Sequence, residues 1–108
     1  MKPLPSLLAL GLLAAATSQV HAQDAGDPRN GRALALQVCA VCHGVDKSLT
    51  SPNAAAPAFA VVASTRGMSA RALTVALQTS HRTMPNLVLG DDETRNVIAY
   101  ILSLKEGG

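Results

Sequence analysis

Two thiols three residues apart, with an imidazole directly after the second, make up Cys39-Ala40-Val41-Cys42-His43, and the chain has no other cysteine. On one helical turn both thiols face the same side, so each can add across one vinyl group of a haem and form a thioether. The imidazole that follows can then coordinate the iron. Other uses of the pair fit less well. A redox dithiol also uses C-x-x-C, but beside a βαβ pattern, which this chain lacks. A zinc site needs four ligands, and beyond His43 the chain offers only His21, near its start, and His81. A Cys39–Cys42 disulfide would close a loop too short to restrain the unfolded chain and would leave His43 without a role. The spacing therefore points to one covalent haem c, held through Cys39 and Cys42, with His43 as an iron ligand.

A second axial ligand is expected from His81-Arg82-Thr83-Met84-Pro85-Asn86. The thioether of Met84 is a soft, neutral donor that favours Fe(II) and so raises a reduction potential. Pro85 keeps this stretch from forming a regular helix, leaving an extended loop to carry Met84 across one face of the ring. Met68 is the rival thioether, but it is closer in sequence to His43 and sits at a helix start. His81 would give a bis-histidine iron and is read instead as facing solvent. On the other side, Pro57 has a free carbonyl that can accept the Nδ1–H of His43, orienting the ring and raising its basicity. The competing reading makes Pro57 a helix-start proline. Phe59 is expected to pack on the haem or in the core.

Helices must hold these groups. Asp27 as N-cap and Pro28 at the first helical position start one that should continue from Arg29 to about Cys42, with Gly31, Leu34, Ala35, Val38 and Cys42 on one face. A glycine in that face leaves room for another helix to pass close. Residues 44–56 read as a loop with a turn at Ser51-Pro52-Asn53. A short helix should span Ala58 to Ser64, and Ser69 should cap another, with Leu73, Ala76 and Leu77 on its apolar side, ending by Ser80. The last helix begins at Gly90 or Asp91 with three acidic residues in its first turn, where the helix dipole favours them. Val97, Ile98, Ile101, Leu102 and Leu104 form its apolar face, and Lys105 suits its C-terminal end. Tyr100 is the natural partner for the gap at Gly31, so the first and last helices should cross there.

Composition agrees with a cofactor. Lys2, the apolar run Leu7 to Ala16 and Val20-His21-Ala22 have the form of a secretory signal peptide, residues 1–22, cut after Ala22. The run is too short to span a bilayer comfortably, so no stable membrane anchor is expected. Removing 22 of the 108 residues leaves 86, enough for one small domain at 27–106 behind a flexible tail at 23–26. One Phe, one Tyr and no Trp are few large side chains for a core, and a haem between helices would supply the missing apolar mass. Without Lys2 the nine Lys and Arg become eight against seven Asp and Glu, a net +1 that argues against nucleic-acid binding.

Taken together, Cys39, Cys42 and His43, Gly31 eight residues upstream, Ala56-Pro57-Ala58-Phe59, Met84-Pro85-Asn86, and Asp-Asp-Glu followed by Val-Ile-Ala-Tyr-Ile-Leu resemble the class I c-type cytochromes, specifically the short bacterial periplasmic monohaem kind. The resemblance runs from Asp27 to Lys105. It implies an all-α, cytochrome c-like small helical domain with N- and C-terminal helices crossing around one haem, His43/Met84 ligation, and electron transfer without chemistry on a substrate. The chain departs from better-known members in having Ala35 where an aromatic often packs, and no Trp for a haem propionate; Arg66, Arg71 and Arg82 are the propionate candidates. The expected role is a monomeric one-electron carrier in the periplasm. Its redox partner proteins, a donor dehydrogenase or a terminal oxidase or reductase, would dock with help from Lys47 and Arg82. The alternative is a tightly bound cytochrome subunit of a periplasmic dehydrogenase, and a third reading has peroxide reach the iron with assistance from His81 or Arg82.

Overall fold

The computed structural model describes residues 2–3 and 25–105. Apart from Lys2 and Pro3, the expected signal peptide lies outside the described residues, as do Gln23, Asp24 and residues 106–108. The described residues form four α-helices, α1 (Pro28–Leu34), α2 (Phe59–Ser64), α3 (Ala70–Gln78) and α4 (Asp91–Ser103), joined by loops and without a strand among them. The architecture is all-α. None of these helices is long and apolar enough to cross a membrane.

Local chemistry accounts for the helix starts. The Asp27 carboxylate accepts from the Arg29 N–H at 2.8 Å and Pro28 occupies the first turn, where its missing donor costs nothing. Ser69 Oγ accepts from the Ala72 N–H at 3.1 Å. At α4 the residue preceding the helix is Gly90, and Glu93 reaches back to accept its N–H at 2.9 Å. Asp91, Asp92 and Glu93 complement the helix dipole there. Residues 58–64 place Ala58 at the cap, so Pro57 stands two residues before α2 and is not its first helical residue.

The first helix departs from the continuous α-helix expected to Cys42. It stops at Leu34 and becomes π-helical over Ala35–Cys39, where the Ala40 N–H bonds to the Ala35 carbonyl at 2.9 Å, five residues back. Two tight bonds then turn the chain, from the Cys42 and His43 N–H groups to the Cys39 carbonyl at 3.2 and 2.9 Å. The wider π turn rotates every later side chain backwards around the axis, a device often found where a helix serves a site.

α1 packs on α4, as the glycine implies. A Cβ on Gly31 would lie 1.9 Å from the Asn96 carbonyl oxygen and 2.8 Å from the Tyr100 Cβ. Gly26, read above as the last residue of a loose tail, lies as close to the same helix: a Cβ there would be 2.1 Å from the Arg95 carbonyl oxygen. The Asp27 N–H also donates to Asn96 Oδ1 at 2.8 Å, so the packed region already includes Gly26. Behind this crossing the core is thin, with small or medium side chains such as Ala35, Ala63, Leu73, Val97 and Ile101 buried and Val97 the largest that is completely enclosed.

Candidate functional site

The chain on both sides of His43 is tied down by backbone bonds. After the imidazole, Gly44 donates its N–H to Ser51 Oγ at 2.9 Å and accepts from the Phe59 N–H at 2.8 Å. The next carbonyl, of Val45, accepts from the buried Tyr100 hydroxyl, which links this loop to α4. Residues 44–57 therefore return beside the cysteines, and the Pro57 carbonyl lies 2.6 Å from His43 Nδ1. A carbonyl can only accept, so Nδ1 carries the proton and the other ring nitrogen keeps its lone pair for a metal. The Phe59 ring is 5.3 Å from the imidazole centroid at 47°, supporting it from one side.

Residues 81–90 form no regular element and bring Met84 to the same space. Cys39, Cys42, His43, Pro57, Phe59 and Met84 all line one cavity of about 590 Å³, a size usual for sites that take a small organic group. α2 and α3 contribute Val62 and Leu73, and α4 contributes Val97 and Ile101. Val38 and Val41 are 40% and 77% exposed, and both border this cavity. Such exposure is costly unless something covers it.

The rivals are placed otherwise. Met68 packs against the core and does not line the cavity. His81 does line it, but its Nε2 lies 2.8 Å from the Ala76 carbonyl, so that nitrogen is occupied as a donor. Arg66, Arg71 and Arg82 are exposed and do not line the cavity; the polar side chains that do border it are Asn53, His81 and Thr83. Asn53 was visible in the sequence only as a turn residue, and Ser51 likewise.

Chemically the donors match a c-type haem. Two thiols stand on one wall with an imidazole whose remaining nitrogen is free, a soft thioether lines the same space, and the lining between them is apolar with small Ala and Pro side chains that leave room for a flat ring. Burial pushes the Cys39 thiol above its ordinary pKa. Among the described residues no three His, Cys, Asp or Glu side chains gather as a zinc site would require.

Residues 26–101 match the family model described as cytochrome c oxidase, cbb3-type, subunit III. Neither the curated proteins nor the solved structures give a match to this chain.

Proposed function

This chain belongs to the cytochrome c oxidase, cbb3-type, subunit III family and is an electron-transfer haem protein, and from that premise we propose that it is a monohaem c-type cytochrome shuttling single electrons between periplasmic proteins. The observation that carries the reading is the convergence of Cys39, Cys42, His43 and Met84 on one apolar cavity. The haem, when bound, supplies an iron that exchanges one electron. The residues do the rest. Cys39 and Cys42 would hold the ring through thioethers, His43, held at Nδ1 by the Pro57 carbonyl, would offer its other nitrogen to the iron, and Met84 would offer its thioether. Two strong-field protein ligands leave no position for substrate and suit both oxidation states, so the site is built for transfer and not for catalysis. A partner meets the molecule at a small, transient interface beside Cys39 and Cys42, and the exposed Lys47 and Arg82 steer its approach. Export follows from residues 1–22, removed after Ala22, in keeping with thioether formation outside the bacterial cytoplasm.

Expression with a cytochrome maturation system tests this reading. The mature chain should carry the mass of one haem and show an iron–methionine charge-transfer band that Met84→Ala abolishes. A colourless product, or sulfurs found free or joined to each other, would overturn it. A second reading, a subunit held in a larger assembly such as an oxidase or a periplasmic dehydrogenase, is favoured by one observation: the matched family is described as a subunit. Purification with a catalytic chain at fixed stoichiometry would decide for it.

A further inference from the structure

Met84 stands in a wall with space on both sides. Behind the segment that carries it lies a second cavity of about 580 Å³, and Met84, Pro85, Leu87 and Leu89 border both this rear cavity and the front one shared with the cysteines. No backbone-to-backbone hydrogen bond holds residues 80–89. A strap with no ladder of its own, mostly exposed and packed on the core through Leu89, needs another restraint to hold Met84 forward.

Two side-chain ties are available. His81 is bonded to the Ala76 carbonyl, which anchors the entry of the strap to α3. The other tie spans the strap: Ser80 Oγ donates to Asn86 Oδ1 at 3.1 Å, closing a loop of five residues in which Met84 lies next to last. Ser80 and Asn86 border the rear cavity and not the front one, so the bond sits at the back of the loop, on the side toward which it could collapse.

We propose that the Ser80–Asn86 hydrogen bond is a clasp that positions Met84 as the second axial ligand, and that opening it lets the strap fall toward the rear cavity and yield the iron to an outside ligand. The clasp rests on the reading of Met84 as a ligand. Both residues act through Met84 and touch neither the thiols nor His43. Because the pair is exposed, the bond contributes at the low end for a net hydrogen bond.

The test is imidazole binding to the oxidised holoprotein, followed by loss of the iron–methionine charge-transfer band. Ser80→Ala and Asn86→Ala should each raise imidazole affinity about two- to fivefold. The double variant should exceed neither single one, because both remove the same bond. Ser80→Thr, which keeps the hydroxyl, should behave as the wild type, and so should Ser64→Ala, which removes a hydroxyl bonded at 2.9 Å to the Ala60 carbonyl within α2. If Met84→Ala retains the band, the ligand reading itself fails, whatever the clasp variants do. If Met84→Ala loses the band while Ser80→Ala and Asn86→Ala bind imidazole as the wild type does, the ligand reading stands and the clasp is refuted. Additive effects in the double variant would also refute it.

Discussion

Replacing Gly31 by alanine should destabilise the holoprotein by about 2 kcal/mol, although alanine is the better helix former. The added Cβ would stand 1.9 Å from the Asn96 carbonyl oxygen and 2.5 Å from its carbonyl carbon, both backbone atoms of α4. Separations under 3.0 Å do not occur for real Cβ atoms, so α1 and α4 must part by about an ångström. Overpacking of this kind costs about 1–3 kcal/mol, here toward the upper end because no flexible side chain can swing away. The helix-propensity gain from glycine to alanine returns about 1 kcal/mol. A domain of this size loses about 4–8 °C of Tm per kcal/mol, so a fall of about 10–15 °C is expected. Guanidinium unfolding followed by helical circular dichroism, with a thermal scan beside it, measures both quantities. An alanine variant within about 0.5 kcal/mol of wild type would refute the close-crossing argument. So would suppression of the defect by Asn96→Ala, since the obstructing atoms are backbone and remain after that change.

Asn96→Ala alone should cost about 1 kcal/mol in the same unfolding assay, because the Asp27 N–H loses the Oδ1 that accepts it. Tyr100→Phe should cost about 1–2 kcal/mol by leaving the Val45 carbonyl without its buried donor, with the haem spectrum unchanged. Pro57→Ala should leave the reduction potential nearly unchanged in voltammetry, since the acceptor of His43 Nδ1 is a backbone carbonyl that alanine also supplies. A chain made without haem should lose its cooperative melt in calorimetry, because the apolar walls of a cavity of about 590 Å³ would then face water instead of the ring. A sharp native-like transition in that haem-free chain would contradict the assignment of the cavity.

Residues that act through spacing were readable before any coordinates. Helical periodicity placed Leu73 and Leu77 on the inner side of α3 and Val97, Ile98 and Ile101 on that of α4, because a one-sided apolar face is what a packed helix must present. The close crossing at Gly31 was legible for a related reason, since a missing side chain in an apolar face is itself a signal. The π-helical turn was not. Gly31, Leu34, Ala35 and Val38 fit an α-helix equally well, and a five-back bond at Ala35–Ala40 leaves no mark on apolar periodicity. Asn96 also escaped notice: its side chain caps a distant N–H and its carbonyl receives Gly31, and neither role selects a recognisable residue pattern. Asn53 and Thr83 were not legible as polar groups at the cavity, because the direction in which a side chain leaves a loop leaves no mark in a sequence.

The two ends of the chain and its middle are held together by different means. Gly26, Gly31 and Asn96 bring α1 and α4 into backbone contact, a junction made of protein atoms alone. α2, α3 and the strap around Met84 instead meet one another across about 590 Å³ of lined space. The strap has no backbone pairing and is mostly exposed, with Leu89 its contact to the core, so its position depends on what fills that space more than the helix crossing does. Attachment through Cys39 and Cys42, as proposed, would fasten the haem directly after α1 and its π turn and leave the strap to close over it. If Met84 and His43 are the iron ligands as proposed, Met84 is the one that exposed side chains of the strap would tune, whereas His43, bonded to Pro57 and followed by a glycine tied to Ser51 and Phe59, is held by the backbone around it.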